Sequence, residues 1–324
     1  MQRETGYRNL KRMENKFGKT SKLCITASYK GDKTILSDVS FTAPFKIMRP
    51  LYIRPMKELP QSTSAAQDTP GVGQHVLGKD SAEDAAANTE TGRQETAAGT
   101  TPEPKNKRFM TVMILTASAG IMAGDRQEFS IRAQENTALE VVSQAYEKVH
   151  AMDNAHAERK TEITVAPHAC LYYTPLPTIP FADSDFRSRM DVHLADETSR
   201  FVFREVLTCG RLAHGEEFGY RRFQNLINIS RGGTLIYRDN TLYEPEWMNM
   251  RGFGMYEGFS HLANLILCNE PRDDAWMLTV RSMLDENGQM EGGVTRMASG
   301  DIVVRILGRT GDQLTKMMDR ILDL

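Results

Sequence analysis

The sequence has few of the residues that build metal centres and disulfide frameworks. Its 324 residues include four cysteines, and no two of them stand in a CxxC spacing: Cys24, Cys170, Cys209 and Cys268. A disulfide framework or a structural zinc site normally shows closer, paired cysteines. Isolated cysteines in strands and helices are most often small core residues. The cysteines therefore indicate a reducing, cytoplasmic setting.

Long apolar runs and clusters of basic residues are also absent. The most apolar window, residues 111–124, is too short and too rich in Ala and Gly to cross a bilayer. Residues 1–16 are charged throughout and lack the apolar stretch of a secretory signal. Forty basic residues against forty-two acidic ones leave a formal charge of −2, without a basic face for phosphates. We therefore expect a cytoplasmic protein that binds neither nucleic acid nor membrane.

The motifs of common enzyme classes are missing as well. The chain has no GxxxxGK[ST] loop, no GxSxG elbow and no HExxH pair. His150 and His156 bracket a segment with Asp153 and Glu158, but their six-residue spacing suits neither a helical face nor a strand turn, which favours solvated surface. These absences leave none of those enzyme classes supported by the sequence. An alternative that stays open is a β-sandwich, cupin-like metalloenzyme or binding module, although the chain lacks the close His-x-His pair of cupins.

No aromatic residue occurs between Tyr52 and Phe109. The segment 56–107 has almost no large apolar side chain, so it cannot bury enough surface to offset the entropy of ordering. We predict a disordered, low-complexity insertion there, because strand-like sequence flanks it on both sides. The predicted organisation is a tail at 1–19, N-terminal strands at 20–55, the insertion at 56–107, the main β body at 108–245 and a C-terminal α+β part at 246–324.

Short alternating segments separated by tight turns fill the rest of the first two-thirds of the chain. Gly31-Asp32 separates two such segments, which is a good hairpin signal. Turns at residues 166–168, 196–197 and 231–233 follow further segments in which apolar and polar residues alternate. This pattern predicts a mainly β fold, an antiparallel multi-stranded scaffold of sandwich or β-helix-like form.

After residue 245 the hydrophobic spacing becomes that of amphipathic helices. Segments 259–267, 273–284 and 312–322 show it, and a hairpin around Ser299-Gly300 separates the last two. We therefore predict a smaller C-terminal α+β part with two or three helices, docked on the sheet or on a partner. Met317 and Met318 in the last helix suggest a surface that repacks against partner proteins.

Glu205 is a carboxylate at a position where the β pattern expects an apolar side chain. It shares a predicted strand face with Phe201 and Phe203. A buried carboxylate costs several kcal/mol unless it is paired or hydrated. Two interpretations stay open, a functional role and a structural pair with a nearby arginine such as Arg204, Arg211 or Arg238.

Several short motifs occur in an order and spacing that resemble the urease accessory proteins of the D/H type. The resemblance covers residues 20–56 and 107–324 and looks closest to the Helicobacter-type UreH members. The chain departs from that family in having Ala where Gly-Gly is frequent, at Ala119 and Ala123, in Arg238 at an often acidic position, and in the long insertion. The motifs are FTAPFKIMRPLY (41–52), SAGIMAGD (118–125), SQAYEKVH (143–150), PLPTIPFADSDF (175–186), GRLAHGEEF (210–218) and YRDNTLYEP (237–245).

The resemblance implies a mostly β scaffold with a helical C-terminal part that makes and breaks no bond. It implies assembly with the F-type accessory protein and the G-type GTPase, docking on apo-urease, and it allows a homodimer within that complex. Nickel would be cargo in transit through a polar tunnel and not a resident cofactor. Carried over residue by residue, the resemblance makes Asp125, Ser143 and Glu205 the candidate nickel ligands of such a tunnel.

Overall fold

The computed structural model describes residues 20–53 and 108–324, and these residues are mainly β-strand. The predicted tail at 1–19 and the predicted insertion at 56–107 lie outside the described residues. In the described ranges, no helix combines the length and the apolar character needed to cross a membrane.

The described residues form seventeen strands and two α-helices, with a short 3-10 turn at Leu212–His214. The helices are α1 (Asp274–Asp285) and α2 (Gly311–Asp323). The strands are β1 (Ser21–Lys30), β2 (Lys33–Phe41), β3 (Phe45–Ile47), β4 (Met110–Thr116), β5 (Arg126–Ala133), β6 (Ala138–Ser143), β7 (Glu147–Val149), β8 (Ala157–Val165), β9 (Cys170–Thr174), β10 (Thr178–Pro180), β11 (Asp185–Leu194), β12 (Arg200–Thr208), β13 (Arg222–Arg231), β14 (Thr234–Tyr243), β15 (His261–Cys268), β16 (Glu291–Arg296) and β17 (Ile302–Gly308).

The strands form two mixed sheets. The first sheet has seven strands in the order β14-β13-β11-β8-β5-β1-β2, and the second has ten, with the main order β16-β17-β15-β12-β9-β6-β4-β3. Parallel pairs fill the middle of the first sheet, such as β8 with β5 and β11, while antiparallel pairs lie at both of its edges. The prediction of a mainly β fold is confirmed, but the prediction of an antiparallel scaffold is right only in part.

The tight turns explain why the antiparallel prediction is partly wrong. Two of the turns predicted before residue 245 make hairpins, β1–β2 around Gly31-Asp32 and β13–β14 around Gly232-Gly233, with positive φ at all four turn residues. The turns after β8 and β11 instead carry the chain from the first sheet to β9 and β12 in the second. Successive strands therefore pair with parallel neighbours in their own sheet, which alternation of side chains cannot reveal.

Two apolar layers hold the fold together. The first lies between the sheets and combines Ile131 and Ile163 of one sheet with Leu171 and Phe201 of the other. The second lies on the far side of the second sheet, where α2 packs on strands such as β12 and β17 and α1 packs on β16. None of the four cysteines, which all lie in the described ranges, forms a disulfide, and Cys170, Cys209 and Cys268 are buried, as expected of small core residues.

The segment 259–267 is a strand and not the predicted helix. Residues His261–Cys268 form β15, which pairs with β12 on one side and β17 on the other, and every residue in it is buried. A strand buried on both faces carries an almost continuous apolar run, and such a run also satisfies helical spacing. The pattern alone could not separate the two structures.

The two later helices are confirmed. Asp273 caps α1 by accepting a hydrogen bond from the Trp276 amide, and Thr310 caps α2 in the same way through the Gln313 amide. The predicted hairpin around Ser299-Gly300 is the pair β16–β17. Both helices dock on the sheet, and Met317 and Met318 are buried there, so the prediction that these methionines form a partner surface is wrong.

Candidate functional site

Glu205 lies between the two sheets, where polar side chains from both of them surround it. It stands on β12, on the face that Phe201 and Phe203 present to the first sheet. Its carboxylate accepts hydrogen bonds from Asn225 Nδ2 on β13, at 2.7 Å, and from Asn264 Nδ2 on β15, at 2.9 Å. The carboxylate is therefore solvated by protein amides.

A second layer of polar groups supports these amides. Asn264 Oδ1 accepts a hydrogen bond from Arg305 Nε at 2.8 Å, and Arg305 also pairs with Asp239. Asp239 accepts a further hydrogen bond from the Thr241 hydroxyl at 3.0 Å. The ordered network fixes the orientation of the amide that donates to Glu205.

The predicted structural pair of Glu205 with an arginine is wrong for all three arginines considered. Arg204 points to the helix side of β12 and pairs with Asp319 of α2. Arg211 pairs with Glu216, and Arg238 is exposed on β14. Alternation explains the first case, because neighbouring residues on a strand face opposite sides of the sheet.

The surroundings of Glu205 change its acidity. Burial raises the pKa of Glu205 to about 7, although hydrogen bonds from Asn264 and Asn225 and the charge of Arg305 act in the opposite direction. The carboxyl group is therefore divided between its neutral and charged forms near neutral pH. A divalent cation would compete with that proton for the same oxygens.

Two cavities continue from Glu205 along the space between the sheets. The inner cavity, of about 60 Å³, is lined by Glu205 and Asn225. The outer cavity, of about 110 Å³, is lined by Ser143 and by the loop at residues 118–121. The two cavities have five lining residues in common, which form a shared wall: Glu147, Arg159, Tyr173, Pro175 and Leu176.

The other two candidate ligands occupy different environments. Ser143 lines the outer cavity, and its hydroxyl accepts a hydrogen bond from the Leu176 amide at 2.8 Å. Asp125 closes a turn by accepting a hydrogen bond from the Met122 amide at 2.8 Å, and it is not among the lining residues of either cavity. Burial raises the pKa of Asp125, and the Met122 hydrogen bond opposes that effect. The structure thus brings Ser143 and Glu205 to one row of cavities and leaves Asp125 in a supporting turn.

A surface groove of about 730 Å³ adjoins the outer cavity through Ala119, Tyr146 and Lys148. It is lined by His150, His214 and the buried His261, whose pKa burial lowers to about 4. In residues 20–53 and 108–324, no three His, Cys, Asp or Glu side chains are grouped to hold one metal ion. His156 contacts Glu158 at 2.7 Å, away from the groove lining.

Sequence reasoning missed most of the partners of Glu205. Asn225 gave no signal, since a single amide in a predicted strand is ordinary, and Asn264 lay in the segment wrongly predicted as helix. Glu147 and Arg159 were also missed. A charged residue in an alternating apolar strand was the available signal for Arg159, as it was for Glu205.

Comparisons with known proteins identify relatives over most of the chain. A family model described as UreD urease accessory protein matches residues 81–324. UreD of Acetivibrio thermocellus is 32% identical over 309 residues, which cover 95% of this chain and 98% of that protein. UreH of Helicobacter pylori is 30% identical over 210 residues, which cover 65% of this chain and 78% of that protein. UreD of Flavobacterium johnsoniae is 28% identical over 221 residues, 68% and 79% of the two chains.

The family model spans β4 to β17, both helices and the residues that line the row of cavities. These matches agree with the resemblance that the sequence motifs indicated. The chain belongs to the UreD/UreH family of urease accessory proteins, whose members act in urease maturation and are not enzymes.

Proposed function

We propose that this chain is a cytoplasmic scaffold that helps deliver nickel to apo-urease. The row formed by the groove, the outer cavity and the inner cavity is the route along which the cargo ion passes. The observation that carries this proposal is Glu205, a half-buried carboxylate that faces a cavity and is held by amides in place of an arginine. Family membership supplies the context of urease maturation.

The donor set along the row suits an ion in transit. A path must bind the ion well enough to admit it and weakly enough to release it. The row offers the Ser143 hydroxyl and the Glu205 carboxylate, and oxygen donors without a grouped imidazole or thiolate set hold a divalent transition metal only loosely. The cupin-like alternative needs a dense cluster of histidines, which the described residues lack.

The scaffold role requires surfaces for partners, which we propose to be the F-type accessory protein, the G-type GTPase and apo-urease, with a homodimer inside their complex. The buried Met317 and Met318 do not provide such a surface. Two aromatic side chains in the loop between β14 and β15 do, because Trp247 is 78% exposed and Phe253 is fully exposed. Exposed aromatic residues of this kind are frequent anchors of protein interfaces.

The test is reconstitution of urease with purified accessory proteins, GTP and Ni²⁺, comparing wild type with Glu205→Gln. The variant keeps the volume and removes the charge, so we expect it to fold and assemble but to yield less nickel-loaded urease. Glu162→Gln is the matched control, because Glu162 is exposed on the outer face of β8. Full nickel loading with Glu205→Gln would overturn the delivery route, and failure of the chain to bind the F-type protein would overturn the scaffold role.

A further inference from the structure

A buried positive charge stands in the wall between the outer and inner cavities. Arg159 on β8 forms a two-nitrogen ion pair with Glu147 of β7, and its Nε donates to Gln127 Oε1 at 2.9 Å. Its guanidinium also lies over the rings of Phe129, at 4.7 Å, and Phe186, at 5.7 Å. These contacts leave Arg159 held on several sides.

The positive charge of Arg159 would repel a cation on this path unless a negative group neutralises it. A guanidinium stays protonated at physiological pH, and a cation that crosses the shared wall must approach it in a medium where charges are weakly screened. While Glu147 neutralises Arg159, the pair fills the wall and offers the ion no free carboxylate. The wall is therefore closed in the arrangement that the structure records.

The Glu147 side chain is held by fewer contacts than that of Arg159. Glu147 belongs to the three-residue strand β7, its side chain is 24% exposed, and Arg159 is the side chain to which its carboxylate hydrogen-bonds in the described residues. Arg159 is only 10% exposed and would keep Gln127 and two aromatic rings if Glu147 moved away. If the pair separates, Glu147 therefore loses its side-chain hydrogen bonds to Arg159, whereas Arg159 keeps its other contacts.

We propose that Glu147 is a transient ligand for a divalent cation at the shared wall. When no ion is bound, Arg159 stays in place, holds the Glu147 carboxylate and blocks the passage of cations between the two cavities. This inference rests on the proposed function, since it names a further ligand and a barrier on the same route. An ion in the outer cavity, beside Ser143, draws the Glu147 carboxylate from the guanidinium. The ion then passes to Glu205, and Glu147 returns to Arg159.

A purely structural role for the pair predicts different behaviour. Arg159 and Glu147 come from different sheets, so the pair also ties the sheets together. A tie affects stability, while a barrier sets the rate at which a cation reaches the inner cavity. The rate is therefore the measurement that separates the two roles.

The experiment uses the full chain with Glu205→Cys as a reporter in the inner cavity. Cd²⁺ is added, and formation of the cadmium–thiolate bond is followed by its ultraviolet absorbance, after subtraction of the signal from the chain with only its native cysteines. The reporter is combined with Glu147→Gln alone, with Arg159→Gln/Glu147→Gln, and with Arg159→Lys. Melting curves and circular dichroism identify the variants that fold.

If Arg159 is a barrier, Glu147→Gln and the double variant should change the rate of cadmium binding in opposite directions. Glu147→Gln leaves an uncompensated guanidinium at the wall and should slow cadmium binding about tenfold, whereas the double variant removes the barrier charge and should speed it about tenfold. Arg159→Lys keeps the positive charge, so its rate should stay at or below that of the reporter chain. The matched control is Arg200→Gln/Glu270→Gln, a buried pair outside the cavity linings, which should leave the rate unchanged.

Equal cadmium rates in all folded variants would overturn the inference, as would the same change in the double variant and the Arg200/Glu270 control. This outcome is distinct from failure of the proposed function. If Glu205→Gln impairs nickel loading of urease while cadmium rates do not respond to Arg159 and Glu147, the delivery route stands and the barrier falls. If urease loads fully with Glu205→Gln, the route falls whatever the cadmium rates.

Discussion

Glu270 and Glu205 are two carboxylates held in different ways, and the difference distinguishes a structural role from a functional one. Glu270, just after β15, is 2% exposed and forms an ion pair with Arg200, whose Nε and second terminal nitrogen donate at 2.7–3.0 Å. Glu205 accepts hydrogen bonds from two amides and faces a cavity. Glu270 is held by a charged partner that an incoming cation would have to displace, whereas Glu205 is held by neutral amides and can exchange a proton or a cation.

The first prediction breaks the arginine-held site. Glu270→Gln leaves the Arg200 charge buried without its partner, so the free energy of unfolding should fall by about 3–5 kcal/mol. Urea unfolding monitored by fluorescence measures the change. A loss below about 1 kcal/mol would mean that Arg200 finds another partner or water, and that the contrast with Glu205 is weaker than the contacts indicate.

The second prediction concerns the amide-held site and its dependence on pH. The pKa of Glu205 in the folded chain, about 7, is above its ordinary value of 4.5, so the folded state binds the proton more tightly than the unfolded state. Stability contributed by the neutral form is present below pH 4.5 and is lost as pH rises to about 7. From about pH 5 to about pH 8 the loss should reach about 2–3 kcal/mol.

Glu205→Gln cannot lose a proton, so its stability relative to wild type should rise by that amount over the same range. Thermal or urea unfolding of both chains at several pH values measures it, with Glu162→Gln as the exposed control. A constant difference between the two chains would show that Glu205 stays charged in the folded state. If Glu205→Gln is instead much less stable than wild type at high pH, Glu205 is the anion of a structural pair.

The contrast between these sites could be anticipated only in part from the sequence. Alternation along β12 placed Glu205 on the face with Phe201 and Phe203, and the structure confirms that face. The same alternation could not tell which strands lie opposite, because strand partners depend on which sheet each turn enters. Asn225 comes from the other sheet, and Asn264 comes from β15, whose continuous apolar run imitated a helix.

Local signals served best where one residue type decides the local geometry. Gly31 and Gly232 marked true hairpins because their turns need positive φ, and Asp273 marked the start of α1. The ion pair between Arg159 and Glu147 had no such local signal. It forms because β7 and β8, from different sheets, come close together in the fold. A single sequence does not show which strands become neighbours in this way.

The third prediction concerns His261, at the surface groove, whose effect on the pH dependence of stability is opposite to that of Glu205. Burial lowers the pKa of His261 from 6.5 to about 4, so the unfolded state binds the proton first as pH falls. Stability should be lost below pH 6.5, by about 2 kcal/mol between about pH 7.5 and about pH 5. His261→Asn keeps a polar group near Ser260, which lies 2.8 Å from His261 Nδ1, and should lack this loss.

Glu205 and His261 act in opposite directions over nearly the same range, so wild type should show a flatter pH dependence than either single variant. Unfolding of the double variant, Glu205→Gln/His261→Asn, serves as the control and should again be flat. If His261→Asn retains the acid-induced loss, another group is responsible for it.

The last and smallest effect concerns Asp125, a carboxylate that is held by backbone alone. Asp125→Ala removes the hydrogen bond from the Met122 amide and should cost about 1 kcal/mol, while Asp125→Asn keeps an acceptor and should cost less than about 0.5 kcal/mol. Since Asp125 is not among the residues that line the inner or outer cavity, Asp125→Asn should also leave nickel loading of urease at the wild-type level in the reconstitution that tests Glu205. A drop in loading with unchanged stability would make Asp125 a ligand on the route and move the route toward the turn at Met122.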